Sequence, residues 1–278
     1  MADSEPLHPG PQPQAPADAV AAMEIRAPTR GNRKLEALLG AANGDEQLKA
    51  WWHVAQVNAD RLGMSDHSWV HIQIVVNIAL RLFRLLRRRG VEPVMVSQHR
   101  MGTRDAEVVI TAACLLHDTG MSIHRTDHEA YSLFLAADKL GELLDGIYSE
   151  PERSVVAAEA MHAIIGHRRR GDPITVEAGI VRVADALDMA QGRSRLPLET
   201  GRPNIHVLSA AAIDRVEIAA GEERAVRIDV AMNNSAGIFQ LDELLATKLR
   251  GSGLEDHVEV VAEIEAEHEK RLLPIFRI

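Results

Sequence analysis

Apolar residues along this chain fall mostly at helical spacing. From Asp45 to Leu62, Leu48, Trp51, Trp52 and Ala55 stand at i, i+3, i+4 and i+7, which predicts an amphipathic helix. The next helix, capped by Ser65 or Asp66, carries a broad stripe of Val70, Ile74, Val75, Ile78, Leu82 and Leu85-Leu86. His71 lies beside Val75 on that stripe and is expected to point inward. Gly90 to Gly102, with Pro93, reads as a loop. A short buried helix from Ala106 to Leu116 follows. Further helices are predicted from about Asp127 to Leu144, Arg153 to Gly166, and Val176 to Ala190, with Pro173 and Thr175 marking the start of the last.

After Pro203 the texture changes. Val216-Glu-Ile-Ala-Ala, Gly221, and the run from Ala225 to Met232 alternate apolar and polar residues as a hairpin does. Gln240 to Arg250 reads as helical. Val258 to Ile264 fits a strand or a helix, and its periodicity does not choose between them. The fold class expected is mainly α: an all-α helical bundle over residues 31–203 with a small C-terminal α+β region over 204–278. Residues 1–30, with Pro6, Pro9, Pro11, Pro13, Pro16 and Pro28 among Ala, Gln and Gly, read as a disordered Pro/Ala-rich arm.

Composition narrows the function classes. With 46% hydrophobic residues and 3% aromatics, the core must be built from aliphatic side chains. A single cysteine, Cys114, excludes a disulfide framework and reads as core within an apolar run. No signal-peptide pattern opens the chain, and no run is read as a membrane span, so a cytoplasmic protein without a membrane partner is expected. The net charge of −9 argues against duplex nucleic acid as a partner. Positive charge is nonetheless concentrated at Arg81, Arg84 and Arg87–Arg89, read as a basic helix C-terminus, and at Arg168–Arg170, directly after His167. Nothing in the pattern fixes oligomeric state, and a homo-oligomer stays open.

The chemistry is concentrated around His117-Asp118, at the end of the apolar helix and two residues before Gly120. An imidazole and a carboxylate on adjacent residues can reach one cation, and the carboxylate can bridge to a second. With His71 upstream and His128, His162, His167 and Asp185 downstream, the donor set is all nitrogen and oxygen, suited to Mn, Mg, Fe or Co. Six of these, with His162 as a possible substitute, exceed what one tetrahedral ion takes. Two divalent ions bridged by Asp118 are the natural use, able to clamp a phosphoryl group and lower the pKa of water.

The order H…HD…H…H…D, over roughly residues 66–195, resembles the HD superfamily of metal-dependent phosphohydrolases. His71-Ile-Gln-Ile-Val75 looks like the family's first-histidine helix; His67, one turn earlier, competes and is less well embedded. Val183-Ala184-Asp185 looks like the closing aspartate, with Asp188 as an outer or solvated neighbour. His128 resembles the added histidine of the two-metal branch, and Ala163-Ile164-Ile165-Gly166-His167 its AIxxH segment. His162 is a substitute for His167 or packs on a helix face. The resemblance implies a metal set of His71, His117, Asp118, His128, His167 and Asp185.

It further implies hydrolysis of a phosphate ester or anhydride, with a nucleotide as the expected small-molecule substrate. Arg168, Arg193 and Arg195 are the candidate phosphate contacts. Asp118, with His124 and Arg125 for proton transfer or charge neutralisation, forms the catalytic group. Many two-metal relatives carry HDxGK; this chain has Met121 at the Lys position, and Arg125 is the substitute. Two other readings compete: an HD-fold di-iron oxygenase, and a non-catalytic nucleotide-binding regulator.

Overall fold

The computed structural model describes residues 15–189 and 209–264. Helices α1 (Pro16–Ala21), α2 (Arg33–Gly44), α3 (Glu46–Arg61), α4 (Trp69–Arg88), α5 (Val94–Ser97), α6 (Thr103–Leu116), α7 (His128–Leu143), α8 (Glu152–Gly166) and α9 (Val176–Leu187) come first, with a 3-10 turn at Thr119–Ser122. Strands β1 (Ile213–Ala220) and β2 (Val226–Met232) follow. A helical stretch then runs through α10 (Gly237–Gln240), a π-helical segment (Leu241–Ala246) and α11 (Thr247–Leu249), and β3 (Val258–Ile264) closes the order. The fold is mainly α with one small C-terminal sheet, so the chain as a whole is not all-α.

Helix α6 is the axis of the molecule. Every residue from Asp105 to Leu116 is buried, because α2, α4, α8 and α9 all pack against it. Helix α4 lies across α6 and α9 and buries His71, Ile72, Val75, Val76, Ala79, Leu80, Leu82, Phe83, Leu85 and Leu86. Two packing partners require two buried faces, so the covered surface is rotated from the predicted stripe, and Val70 and Ile74 are exposed. The helix is long and apolar enough to cross a membrane by composition, contrary to the sequence expectation, but it serves here as a core helix. Its N-cap is Ser68, whose side chain accepts the Val70 N–H at 3.1 Å, while Asp66 accepts the Ser68 N–H.

The segment 90–102 is not wholly loop. Its one-turn α5 forms because the Glu177 carboxylate accepts the N–H groups of Val94 and Met95 at 3.1 and 3.0 Å, satisfying the orphan donors of a helix start. Residues 15–30 are no loose arm either: Val20, Met23 and Ile25 join the main core, and the Ile25 N–H and C=O both bond the Asn43 side chain. Three apolar anchors at the end of a proline-rich stretch outweigh its composition. The remainder of that arm lies outside the described residues.

Strand β2 is central, antiparallel to β1 and parallel to β3. Its buried Val226, Ile228, Val230 and Met232 join the same core cluster as the helices. The parallel β2–β3 pairing gives Val258–Ile264 its identity as a strand. It requires a crossover between the two, and the helical stretch 237–249 supplies it. The arginines at the end of α4 are structural: Arg84 pairs with Glu107 at 2.8 Å, and Arg89 donates to the Gly221 and Glu222 carbonyls of the β1–β2 turn.

Candidate metal centre

His117 ends α6, and Asp118 opens the turn that follows. Two contacts set the direction of this turn. The Gly120 N–H donates to Ser132 Oγ at 2.8 Å, and Ser132 Oγ donates back to the His117 carbonyl at 2.6 Å. The turn is thereby stitched to α7, whose first residue is His128. A Cβ on Gly120 would sit 1.9 Å from the His128 carbonyl oxygen, so only glycine permits this approach. Trp52 braces the other side, its indole N–H donating to the Leu115 carbonyl at 2.9 Å.

Six buried side chains converge as two groups: His71, His117 and Asp185, and Asp118, His128 and His167. In the first, His71 Nε2 stands 3.3 Å from His117 Nε2 and 3.4 Å from Asp185 Oδ1. Asp118 joins both groups. Its Oδ2 is 3.5 Å from the Nε2 atoms of His71 and His117, and its Oδ1 is 3.3 Å from His128 Nε2 and 3.8 Å from His167 Nε2. For metal–ligand bonds of about 2.1 Å, neighbouring donors on a tetrahedral or octahedral centre stand roughly 3.0–3.4 Å apart. Most of these separations fall at or near that range.

The outer contacts fix which ring nitrogen faces inward. His71 Nδ1 lies 2.6 Å from Asp188 Oδ2, His117 Nδ1 2.8 Å from the Cys114 carbonyl, and His167 Nδ1 2.5 Å from the Ile164 carbonyl. Each acceptor takes the Nδ1–H and leaves the Nε2 lone pair pointing into the cluster, the arrangement that metal-binding imidazoles use. His128 Nδ1 faces the Arg125 carbonyl at 3.1 Å, with the Arg125 guanidinium 3.2 Å from the same nitrogen. Lone pairs and carboxylates meeting in a buried space are mutually repulsive without protons or a cation, so the donor set fits a divalent metal.

Electrostatics favour the same donor states at Asp118, Asp185 and His167. Burial pushes Asp118 upward, but the surrounding imidazoles, His117 first, then His128 and His71, hold it well below the usual carboxylate range. Asp185 is likewise held low against burial, by Lys248, His117 and His71. Burial, reinforced by His117 and Lys248, drives His167 well below an ordinary imidazole, so it is neutral at pH 7. His128 departs from this: burial lowers it most, but its bond to Asp118 and the charges of Asp118 and Glu129 together outweigh burial and raise it. Cys114 is no ligand: burial, then the Asp185 charge, pushes its thiol far above the ordinary range.

The other predicted residues divide. Arg125 and Arg168 line a cleft of about 1010 Å³ with Glu129, Arg169, Arg170 and Thr247. Within it Arg169 pairs with Glu243 at 2.5 Å, and Arg168 lies 3.9 Å from Glu129. His162 is turned away, its Nε2 accepting the Ile174 N–H at 3.1 Å, and it does not join either ligand group. His124 is exposed, its Nδ1 accepting the Thr126 N–H within its own turn, so the structure does not bring it to the cluster. His67 lies at the rim, its Nε2 4.0 Å from Asp118 Oδ2. Arg193 and Arg195 lie outside the described residues. Met121, at the position expected from relatives to hold a lysine, is fully buried.

Lys248 is a site residue that the sequence reading did not find. Its Nζ bonds Asp185 Oδ2, opposite the oxygen that faces His71. Arg182 was also missed. Its buried guanidinium donates to the carbonyls of Gly166, Arg168, Arg169, Thr247 and Lys248, tying the turn after His167 to the C-terminal helical stretch. Sixty-three positions separate Lys248 from Asp185, and no local pattern marks such a pairing.

A helical bundle presenting this arrangement of histidines and aspartates defines a class of metal-dependent hydrolases. The HD domain family matches residues 65–190, the stretch that supplies all six converging side chains, and the chain belongs to the HD domain superfamily. It is 39% identical over 207 residues to an uncharacterized protein of Methanocaldococcus jannaschii, covering 74% of this chain and 80% of the relative. No solved structure matches the chain significantly.

Proposed function

We propose that the protein is a dinuclear metal-dependent phosphohydrolase acting on a phosphate ester or anhydride, with a nucleotide as substrate. The observation that carries this reading is the division of Asp118: one carboxylate oxygen faces His71 and His117, the other faces His128 and His167. His71, His117 and Asp185 would hold one ion, His128 and His167 the other, and Asp118 both. When bound, such ions make water acidic enough to attack near neutral pH and draw charge from phosphoryl oxygens.

The chain's own residues do the rest. Asp188 and the Cys114 and Ile164 carbonyls keep the imidazole lone pairs aimed inward. Arg125 and Arg168, in the cleft beside His128, would take phosphate oxygens by charge-assisted hydrogen bonds. That basic cleft favours an anionic substrate such as a phosphate ester or anhydride.

The test is protein purified without chelator, analysed for metal and assayed with Mn or Co on mononucleotides and dinucleoside polyphosphates. Two ions per chain and metal-stimulated phosphate release are expected. No turnover of either substrate class would overturn the nucleotide assignment. Paired iron with O₂ consumption would replace the reading with the oxygenase, and tight nucleotide binding without turnover in any metal would replace it with a regulator.

A further inference from the structure

We propose that Lys248, carried by the C-terminal helical stretch, is a substrate-contacting cation that receives a phosphoryl oxygen at the metal centre; this rests on the phosphohydrolase reading above. Two observations converge on it. The ammonium bonds Asp185 Oδ2 while Asp185 Oδ1 faces His71 and His117, so it lies at the edge of the ligand cluster. Thr247, the preceding residue, lines the arginine cleft, so the backbone that carries Lys248 borders both the cleft and the ligand cluster.

Charge decides what such a position is for. Two divalent ions exceed the charge of Asp118 and Asp185 together, and a lysine adds to the excess. A cation placed there only to neutralise Asp185 would duplicate the metal's role. Placed to meet an anion, it completes a strongly anion-seeking surface. An ammonium carries three donors, and among the described residues the Asp185 oxygen is the only hydrogen-bond partner shown for it. The others are available to phosphoryl oxygens.

The lysine is also held in place. Its side chain is 14% exposed, and its own carbonyl accepts from Arg182 Nε at 2.8 Å. The same guanidinium grips the carbonyls of Gly166, Arg168 and Arg169, which follow His167 or lie next to it. Gly179 of α9 meets the Ser252 carbonyl so closely that an added Cβ would lie 2.1 Å from it. The C-terminal stretch is therefore seated on α9, with Lys248 directed to the carboxylate that α9 supplies.

The experiment compares full-length wild type with Lys248→Met and Lys248→Arg, each loaded with Mn. Mn stoichiometry and affinity are measured by calorimetry, and then the affinity of the loaded protein for inorganic phosphate. The Met variant is expected to keep Mn affinity within about threefold and to lose about tenfold or more in phosphate affinity, the scale of one charge-assisted hydrogen bond. Lys248→Arg is expected to recover part of that loss, and thermal melts of all three proteins check folding. Phosphate bound equally by wild type and Lys248→Met overturns the proposal and leaves the hydrolase reading standing. So does a matching loss of Mn and phosphate, or tighter Mn binding in the Met variant, because either assigns Lys248 to Asp185 alone. Mn-loaded wild type that ignores phosphate overturns this inference, while the hydrolase reading stands or falls on metal-stimulated turnover.

Discussion

Asp118 contributes an oxygen to each ligand group, and this sets the hierarchy of single substitutions. Asp118→Ala is expected to empty both positions, whereas His71→Ala and His128→Ala should each leave one ion per chain, read by metal analysis of protein purified without chelator. Asp188 touches no ion in this scheme, yet it takes the His71 Nδ1–H at 2.6 Å. Asp188→Ala should therefore keep two ions per chain at saturation while weakening the first group's affinity by roughly 10–100-fold, as loss of an outer partner does. Mn titration followed by tryptophan fluorescence would show it, since the Trp52 indole is bonded to Leu115, two residues before His117. Equal affinity in wild type and Asp188→Ala would mean that packing alone orients His71.

At the scale of elements, the site depends on how α6 begins and ends. At its start, burial pushes Asp105 upward. Hydrogen bonds from Lys34, Tyr148 and the Gly102 N–H outweigh that and hold the carboxyl below its ordinary value. A carboxylate with a lowered folded pKa stabilises the fold above its unfolded value of about 3.9, and loses that contribution as pH falls through the folded value. Asp105→Asn should therefore cost roughly 1–3 kcal/mol at pH 7, with the gap to wild type closing below about pH 4; urea unfolding across pH 3–7 measures it. At the other end, Ser132→Ala removes both bonds that join the His117 turn to α7. Its expected mark is weaker metal at the His128 group, with little change at the His71 group.

These elements also show what a linear reading can reach. Helix periods and the histidine order were legible because they are local: 3.6-residue spacing places His71 inward, and adjacency joins His117 to Asp118. The rotation of α4, the turn at α5 and the anchoring of Ile25 depend on partners distant in sequence, such as Glu177 and Asn43. His124 and His162 were plausible by proximity in the chain, and local contacts to Thr126 and Ile174 turn each elsewhere.

Over the whole molecule, the sheet and the bundle share one core, and Arg182, beside the Lys248–Asp185 and Arg169–Glu243 pairs, links the site to the C-terminal stretch. Replacing it by Leu takes this donor from five carbonyls, of which that of Arg168 keeps the Gly171 N–H. The expected cost is at least about 2–3 kcal/mol, given about 1–3 kcal/mol for each group left buried and unsatisfied. Urea unfolding should show this as a lower midpoint in a single transition; two separated transitions would mean that the C-terminal stretch folds independently. The same link governs motion. One guanidinium cannot release residues 247–248 and keep its full hold on 166–169, so the two segments should open to solvent as a single cooperative unit. In amide hydrogen exchange their protected N–H groups should share one opening free energy, and any ligand that slows exchange after His167 should slow it around Thr247 by the same factor.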